Sequence, residues 1–406
     1  MSRDYHDLAI ESGDSPSGAH RHNGDGERPT FDFADSFPRG ATDASSAGDE
    51  PVAVNASAAT RIRMKEAELS RRFNVRFSKS GENAICRDDA PDPQKCIAIV
   101  TKAPTLRQLY GIEVGLQSSR PADKTASGGP LEFYFLRTLQ NPSRGSIATY
   151  RPESANGRAG IYFDPGVLNA NLPVLERDIC STDNIATSIE STIEHELAHN
   201  SEHNYAQYLQ SHKELEGYES KLGWKLVDRQ RGKEKEEVWI LQGKDGAYYR
   251  FADNQKASGT KWLRCNEAGD PVNQNGKPVA TDDLAESVDG SEVKQRAVVT
   301  PATNYFPDPD EMLAEALTLF RSGGSRRAFL FKDDPQLYSV AKQFDQDELN
   351  RVYGDSEGKP TFLRAYDGSI VPNTLAESAE IDRLERDQRL VDNAAAACPA
   401  DGEPQK

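Results

Sequence analysis

The spacing of hydrophobic positions changes several times along the chain, and each change marks an element. Order begins at Ala58, where IRMKEAELSRRF reads as a helix and the following NVRFS as a strand. A polar loop, RDDAPDPQK (87–95), precedes CIAIV, which reads as a short buried strand. Pro104 opens a helix, TLRQLYGIEVGLQ, with Leu106, Leu109, Tyr110, Val114 and Leu116 on roughly one side. LEFYFL (131–136) and GIYFDP (160–165) are further strands, with one more at ATYRP between them. Ser181, Thr182 and Asp183 are suited to cap a helix starting near Asn184. In it Ile185, Ile189, Ile193 and Leu197 recur every four residues, and the pattern runs to about Gln210.

The middle of the chain differs in character. Within residues 213–300, DRQRGKEKEE reads as a solvated charge run. EVWILQ and AYYRF, joined through GKDG, make a hairpin, and KWLRC is another strand. NEAGDPVNQNGKPV is turn-rich, and no internal repeat stands out. Helical signals return at Asp308, a natural N-cap followed by Pro309 at the first helical position. Asp310 and Glu311 then sit at the positive helix end, and Met312, Leu313, Leu317 and Phe320 supply an apolar face. Helices continue through 328–352, and a polar amphipathic helix follows residue 375.

This order of elements gives an α+β chain with a layout in five parts. A disordered tail covers residues 1–57, rich in Ser, Gly, Asp and Ala and without periodicity. An N-terminal part spans 58–212, an inserted strand-containing subdomain 213–300, a helical part 301–375, and a C-terminal helix and tip 376–406.

Composition narrows the function. A net charge of -16 lacks the basic footprint of a general nucleic-acid binder. No apolar run approaches the ~18 residues of a membrane helix, and the N-terminus lacks the charged start and apolar core of a Sec-type signal peptide. The expectation is a protein that is cytoplasmic or secreted by a route independent of such a signal. The five cysteines have wide spacing and no CxxC, so they read mostly as free thiols. Cys86–Cys96 is the one short-range disulfide candidate.

The chemistry concentrates in TIEHELAHN. His195 and His199 are four residues apart, so on a helix both imidazoles leave one face and can bind one ion. Glu196 can reach a water on that ion without ligating it, the arrangement of a general base in zinc hydrolysis. The bland alternative is a helix with two polar-face histidines. Four of the seven histidines fall between 195 and 212, which weighs against it. A third ligand is needed. His203 is a poor one, because eight residues from His195 is about 12 Å along a helix axis. DPDEMLAEALTLF offers Glu311 and Glu315 on one helical face: one carboxylate can bind metal while the other accepts the N–H of a ligand histidine. The alternative is a solvated pair of glutamates.

HELAHN, a tyrosine, DEMLAEALTLF and a later helix with FDQDELNRVY together resemble the lethal factor-like gluzincin metallopeptidases, with the related Pro-Pro endopeptidases. The resemblance covers about residues 60–212 and 300–352. It implies a zincin-like domain, a Zn2+ cofactor, and a protein or peptide substrate. It also implies Glu311 as third ligand, Glu315 as the partner of a ligand histidine, and Tyr305 as an oxyanion stabiliser. The chain departs from that family in the long 213–300 segment, which reads as a recognition module, a lid or a decoration. Two other readings stay open: a non-catalytic protease-like binding protein, and a zinc amidase acting on a non-protein amide.

Overall fold

The computed structural model describes residues 57–86, 98–118, 130–138, 148–151, 159–165, 191–201, 217–231, 234–252, 261–303, 305–353 and 361–373, with 383, 384 and 386. The chain divides between Met64 and Lys65, and everything that bears on the site belongs to the second unit. The expected tail, the 87–95 loop, the caps at 181–183, Ile185, Ile189, His203, Cys96 and most of the C-terminal helix lie outside the described residues.

Helix α1 (Ala58–Phe73) leads into a four-stranded sheet of β1 (Val75–Phe77), β4 (Leu131–Phe135), β5 (Ala148–Arg151) and β6 (Gly160–Phe163), in the order β1-β4-β6-β5. The first two pairings are parallel, and β5 runs antiparallel to β6. The alternation of side chains across the pleat sorts the aromatics. Phe133 and Phe135 stack on Phe163 at 6.2 and 5.1 Å, and Tyr134 stacks on Tyr162 at 4.3 Å. Both faces are buried, which explains why LEFYF and GIYF are nearly continuous apolar runs.

Two local expectations need correction. β3 (Ala98–Val100) pairs in a hairpin with β2 (Asn83–Cys86), and of its three residues only Ile99 is buried. Helix α2 (Leu106–Ser118) buries Leu109, Ile112 and Leu116, whereas Tyr110 and Val114 are 54% and 51% exposed. The buried stripe is therefore rotated from the one the apolar letters suggest.

After α3 (residues 191–201) and the single turn α4 (Tyr218–Lys221), a five-stranded antiparallel sheet follows. It holds β7 (Trp224–Arg231), β8 (Glu234–Gln242), β9 (Tyr248–Ala252), β10 (Lys261–Cys265) and β11 (Ser287–Val288), paired in sequence order. The described part of the charge run forms the paired ends of β7 and β8, with Asp228, Lys235 and Glu237 exposed as expected. Arg229 within it is buried and donates to Asp282 Oδ1 at 2.8 Å. The turn-rich stretch contains a repeat that composition hides, N-x-x-G-x-P-V at 266–272 and again at 273–279. In both copies the asparagine Oδ1 accepts two backbone N–H groups, and the glycine adopts positive φ. Cys265 is a buried free thiol, pushed up to about 12 by that burial.

Helix α5 (Gly290–Arg296) ends this region. α6 (Pro309–Ser322), α7 (Gly324–Asp333) and α8 (Pro335–Tyr353) follow, with a hairpin of β12 (Phe362–Arg364) and β13 (Ile370–Pro372). α6 begins as its sequence requires, with Asp308 Oδ1 accepting the Glu311 N–H at 2.9 Å and Pro309 in the first turn. It ends at Gly323, whose φ is 69°, where a Cβ would lie 2.3 Å from the Gly368 nitrogen of the hairpin turn. One core cluster joins α3, the five-stranded sheet and the three helices, and takes in Leu384. The fold class is α+β as expected. No helix among the described residues is long and apolar enough to cross a membrane.

Candidate metal centre

Helix α3 is buried on every side. Among residues 191–201 only His199 keeps more than slight exposure, although the segment carries Glu194, His195, Glu196 and Ser201. Polar groups buried this deeply need partners, and those partners define the site.

The imidazoles of His195 and His199, one turn apart, meet edge to face with ring centroids 4.8 Å apart. Helix α6 lies across from them and presents Glu311. His195 Nε2 is 2.9 Å from Glu311 Oε2, His199 Nε2 is 3.3 Å from the same oxygen, and the two Nε2 atoms are 3.1 Å apart. Metal bonds of about 2.0–2.1 Å at tetrahedral angles place neighbouring ligand atoms about 3.3 Å apart. The triangle is that size or slightly smaller, so the three residues can hold one metal ion. Because Asp308 caps α6 through the Glu311 N–H, the cap fixes the backbone of Glu311 itself.

Glu315, one turn further along α6, stands 2.8 Å from His195 Nδ1. The two carboxylates thus flank both nitrogens of one ring. Burial alone would lower the His195 imidazole, but Glu311 and Glu315 outweigh it and hold it at about 10. Burial would raise Glu311, and His199 and His195 instead hold it well below the carboxylate range. The field at this point therefore favours positive charge.

Glu196 turns toward the sheet. Its Oε2 accepts the backbone N–H of Tyr150 on β5. Burial pushes its carboxyl above the ordinary value, and His195, His199 and the Tyr150 N–H offset this only in part. The Tyr305 hydroxyl donates to Glu311 Oε1 at 3.4 Å, and its ring is 6.1 Å from that of His195. Burial, then Glu311, raise this phenol well above its usual value, so it stays a neutral donor. Burial and the neighbouring Asp310 and Glu311 push Asp308 up to about 7.

All six residues expected at the site are thus gathered: His195, Glu196, His199, Tyr305, Glu311 and Glu315. Other members carry no motif. Glu194 accepts from Ser322 Oγ at 2.7 Å and from Arg326 at 3.3 Å. Arg321 donates to Ser201 Oγ at 3.0 Å, Asp345 Oδ1 at 2.8 Å and Glu348 Oε2 at 2.6 Å. Arg364 reaches both oxygens of Asp345 at 2.8 and 3.0 Å. These contacts tie α3 and α6 together beyond the His195–His199–Glu311 group. The Tyr150 contribution is a backbone group, so residue identity could not have revealed it. The arginine clamp has the letters of an ordinary charged helix.

No protein-family profile, no curated protein and no solved structure matches the chain.

Proposed function

We propose that the chain is a zinc-dependent endopeptidase of zincin-like architecture. The observation that carries this reading is the buried carboxylate of Glu196 beside a His–His–Glu donor triangle. Two imidazoles and one carboxylate are the donor set of catalytic zinc sites that keep a fourth position open. Zinc, when bound, supplies Lewis acidity: it makes water acidic near neutral pH and polarises a carbonyl oxygen.

The protein groups do the rest. Glu196 takes a proton from the attacking water and passes it to the leaving amine. Its second oxygen stays on the Tyr150 N–H, which fixes the direction of the first. Glu315 holds Nδ1 of His195, so that Nε2 points at the donor triangle in the correct tautomer. Tyr305, kept protonated by its surroundings, donates a hydrogen bond to the oxygen on which negative charge develops. A peptide is favoured over a small amide by β5. Among the described residues this strand borders the sheet beside Glu196, and an extended chain laid along that border would run past the site.

The test is digestion of a peptide library by the purified protein, with Glu196→Gln as control. Cleavage by the native chain alone supports the reading. Equal cleavage by both, or none by either in zinc-loaded protein, would overturn it.

A further inference from the structure

The five-stranded sheet that interrupts the ligand-bearing parts is not packed as a separate module. A detachable module closes its own core and sends few contacts across its boundary. Here Trp224, Leu241, Tyr249 and Trp262 share one continuous core with Met312, Leu313 and Phe320 of the helices.

Contacts from this region reach Asp333, Gln336 and Phe344, and three more fall on a short stretch of chain around Glu311. The Tyr218 hydroxyl donates to Asp310 Oδ1 at 2.9 Å. The Trp224 indole N–H points at Met312 Sδ at 3.2 Å. The Trp262 ring stacks on Phe306 at 4.8 Å, with 28° between the planes. Asp310 and Met312 are the neighbours of Glu311 on either side, and Phe306 is the neighbour of Tyr305. The sheet therefore touches none of the site groups in these contacts, yet grips the residue beside each of the two that this stretch contributes.

We infer that the 217–300 region is a buttress for the third-ligand segment, with Tyr218, Trp224 and Trp262 as positioning residues for Glu311 and Tyr305. This rests on the reading of His195, His199 and Glu311 as a metal centre. The physical reason is the weak local tether of that stretch. Residues 305–308 are outside any helix, and the local bonds at this stretch are few: the Tyr305 N–H to Thr303 Oγ1 at 3.2 Å, and the Glu311 and Met312 N–H groups to Asp308 at 2.9 and 3.2 Å. Three aromatic anchors, Tyr218 from α4 and Trp224 and Trp262 from the sheet, remove the remaining freedom, so that Glu311 meets the histidines without an ordering cost when an ion binds. On this account the region is neither a lid nor a decoration, and removing it should cost metal affinity before it costs substrate selectivity.

The experiment compares two hydroxyl deletions of equal chemistry in the full-length chain. Tyr218→Phe removes only the hydroxyl on Asp310 and keeps the ring edge on Phe344, 6.0 Å between centroids. Tyr249→Phe removes a hydroxyl engaged with Asp245 and Arg296 inside the same region. Cobalt(II) titration reports both affinity and, through its visible spectrum, ligand geometry; thermal unfolding of each variant reports stability.

Tyr218→Phe is expected to weaken cobalt binding about three- to tenfold, less than the 10–100-fold of a group bonded to a ligand directly. Tyr249→Phe is expected to bind cobalt as the native chain does, whatever its melting temperature. Trp262→Leu should weaken binding and alter the spectrum, and Trp262→Phe, which keeps a ring against Phe306, should restore both. Unchanged affinity and spectrum in Tyr218→Phe and Trp262→Leu would overturn the inference. So would equal weakening by Tyr218→Phe and Tyr249→Phe, which would mean general loosening. Absence of cobalt and zinc binding by the native chain would instead remove the metal-centre reading, and the inference with it.

Discussion

Glu315 Oε1 stands 2.8 Å from His195 Nδ1, while Glu311 Oε2 stands 2.9 Å from Nε2 of the same ring. One imidazole is thus held from both sides by carboxylates one helical turn apart, each with its own task. Glu315→Ala is expected to lower zinc affinity about 10–100-fold, because His195 loses the group that fixes its tautomer and ring plane. Glu315→Gln keeps an acceptor oxygen and should lose less. Competition against a chromogenic chelator measures both. Native affinity in Glu315→Ala would show that the contact is structural only.

Glu196 and Glu311 should separate binding from turnover. Glu196→Gln keeps the shape and removes the base. It should retain about one zinc per chain and lose ~10²–10⁴-fold in kcat, the usual share of proton transfer. Glu311→Ala deletes a donor of the triangle and should lose the metal itself, as read by elemental analysis after dialysis. If Glu311→Ala keeps both metal and activity, the third ligand lies elsewhere, and His203 becomes the residue to test.

Tyr305 offers a narrower test. Tyr305→Phe removes the hydroxyl and leaves the ring beside His195. Loss of one oxyanion donor costs about 10²–10³-fold in kcat, so turnover should fall by that order with KM and zinc content little changed. A change confined to KM would place the hydroxyl in substrate binding instead.

What could be read from the letters was local. His195 and His199 share a face because four residues close one helical turn, and Asp308-Pro309 announces α6 through capping chemistry alone. Both signals act within a few residues, so neither needs the tertiary fold. Tyr150 is 46 residues from Glu196 and contributes a main-chain N–H, which any residue would supply. Arg229 sits in a run whose charges look solvated, and Arg321 is a lone basic residue at the end of an amphipathic helix. Only strand pairing and helix packing show that both are buried. The tandem N-x-x-G-x-P-V turns repeat every seven residues, a period easily taken for mere turn composition. Their hydrogen bonds separate the two copies. The rotated face of α2 has a similar origin: Tyr110 and Val114 are apolar letters, and which stripe faces inward is decided by the neighbours, not by the helix.

The clamp behind the site should carry a pH signature set by the charge state of Asp345. This carboxylate is buried, and burial alone would raise its pKa. Arg364, bonded to both oxygens, and Arg321 outweigh that and hold it well below the ordinary carboxylate range. In the unfolded chain the same group titrates near 3.9. As pH falls past about 4 the unfolded state takes up the proton first, so Asp345 stabilises the fold fully above that pH and progressively less below it. Asp345→Asn has no such proton. It should be less stable than the native chain by about 3–5 kcal/mol near neutral pH, because two buried guanidinium groups lose their shared partner. The gap should then narrow by about 1.4 kcal/mol per pH unit below about pH 4, the value of a one-proton step. Urea unfolding of both proteins between pH 7 and pH 3 measures the difference directly. A gap that stays flat to pH 3, or widens there, would show that Asp345 is not the ionised centre of the clamp.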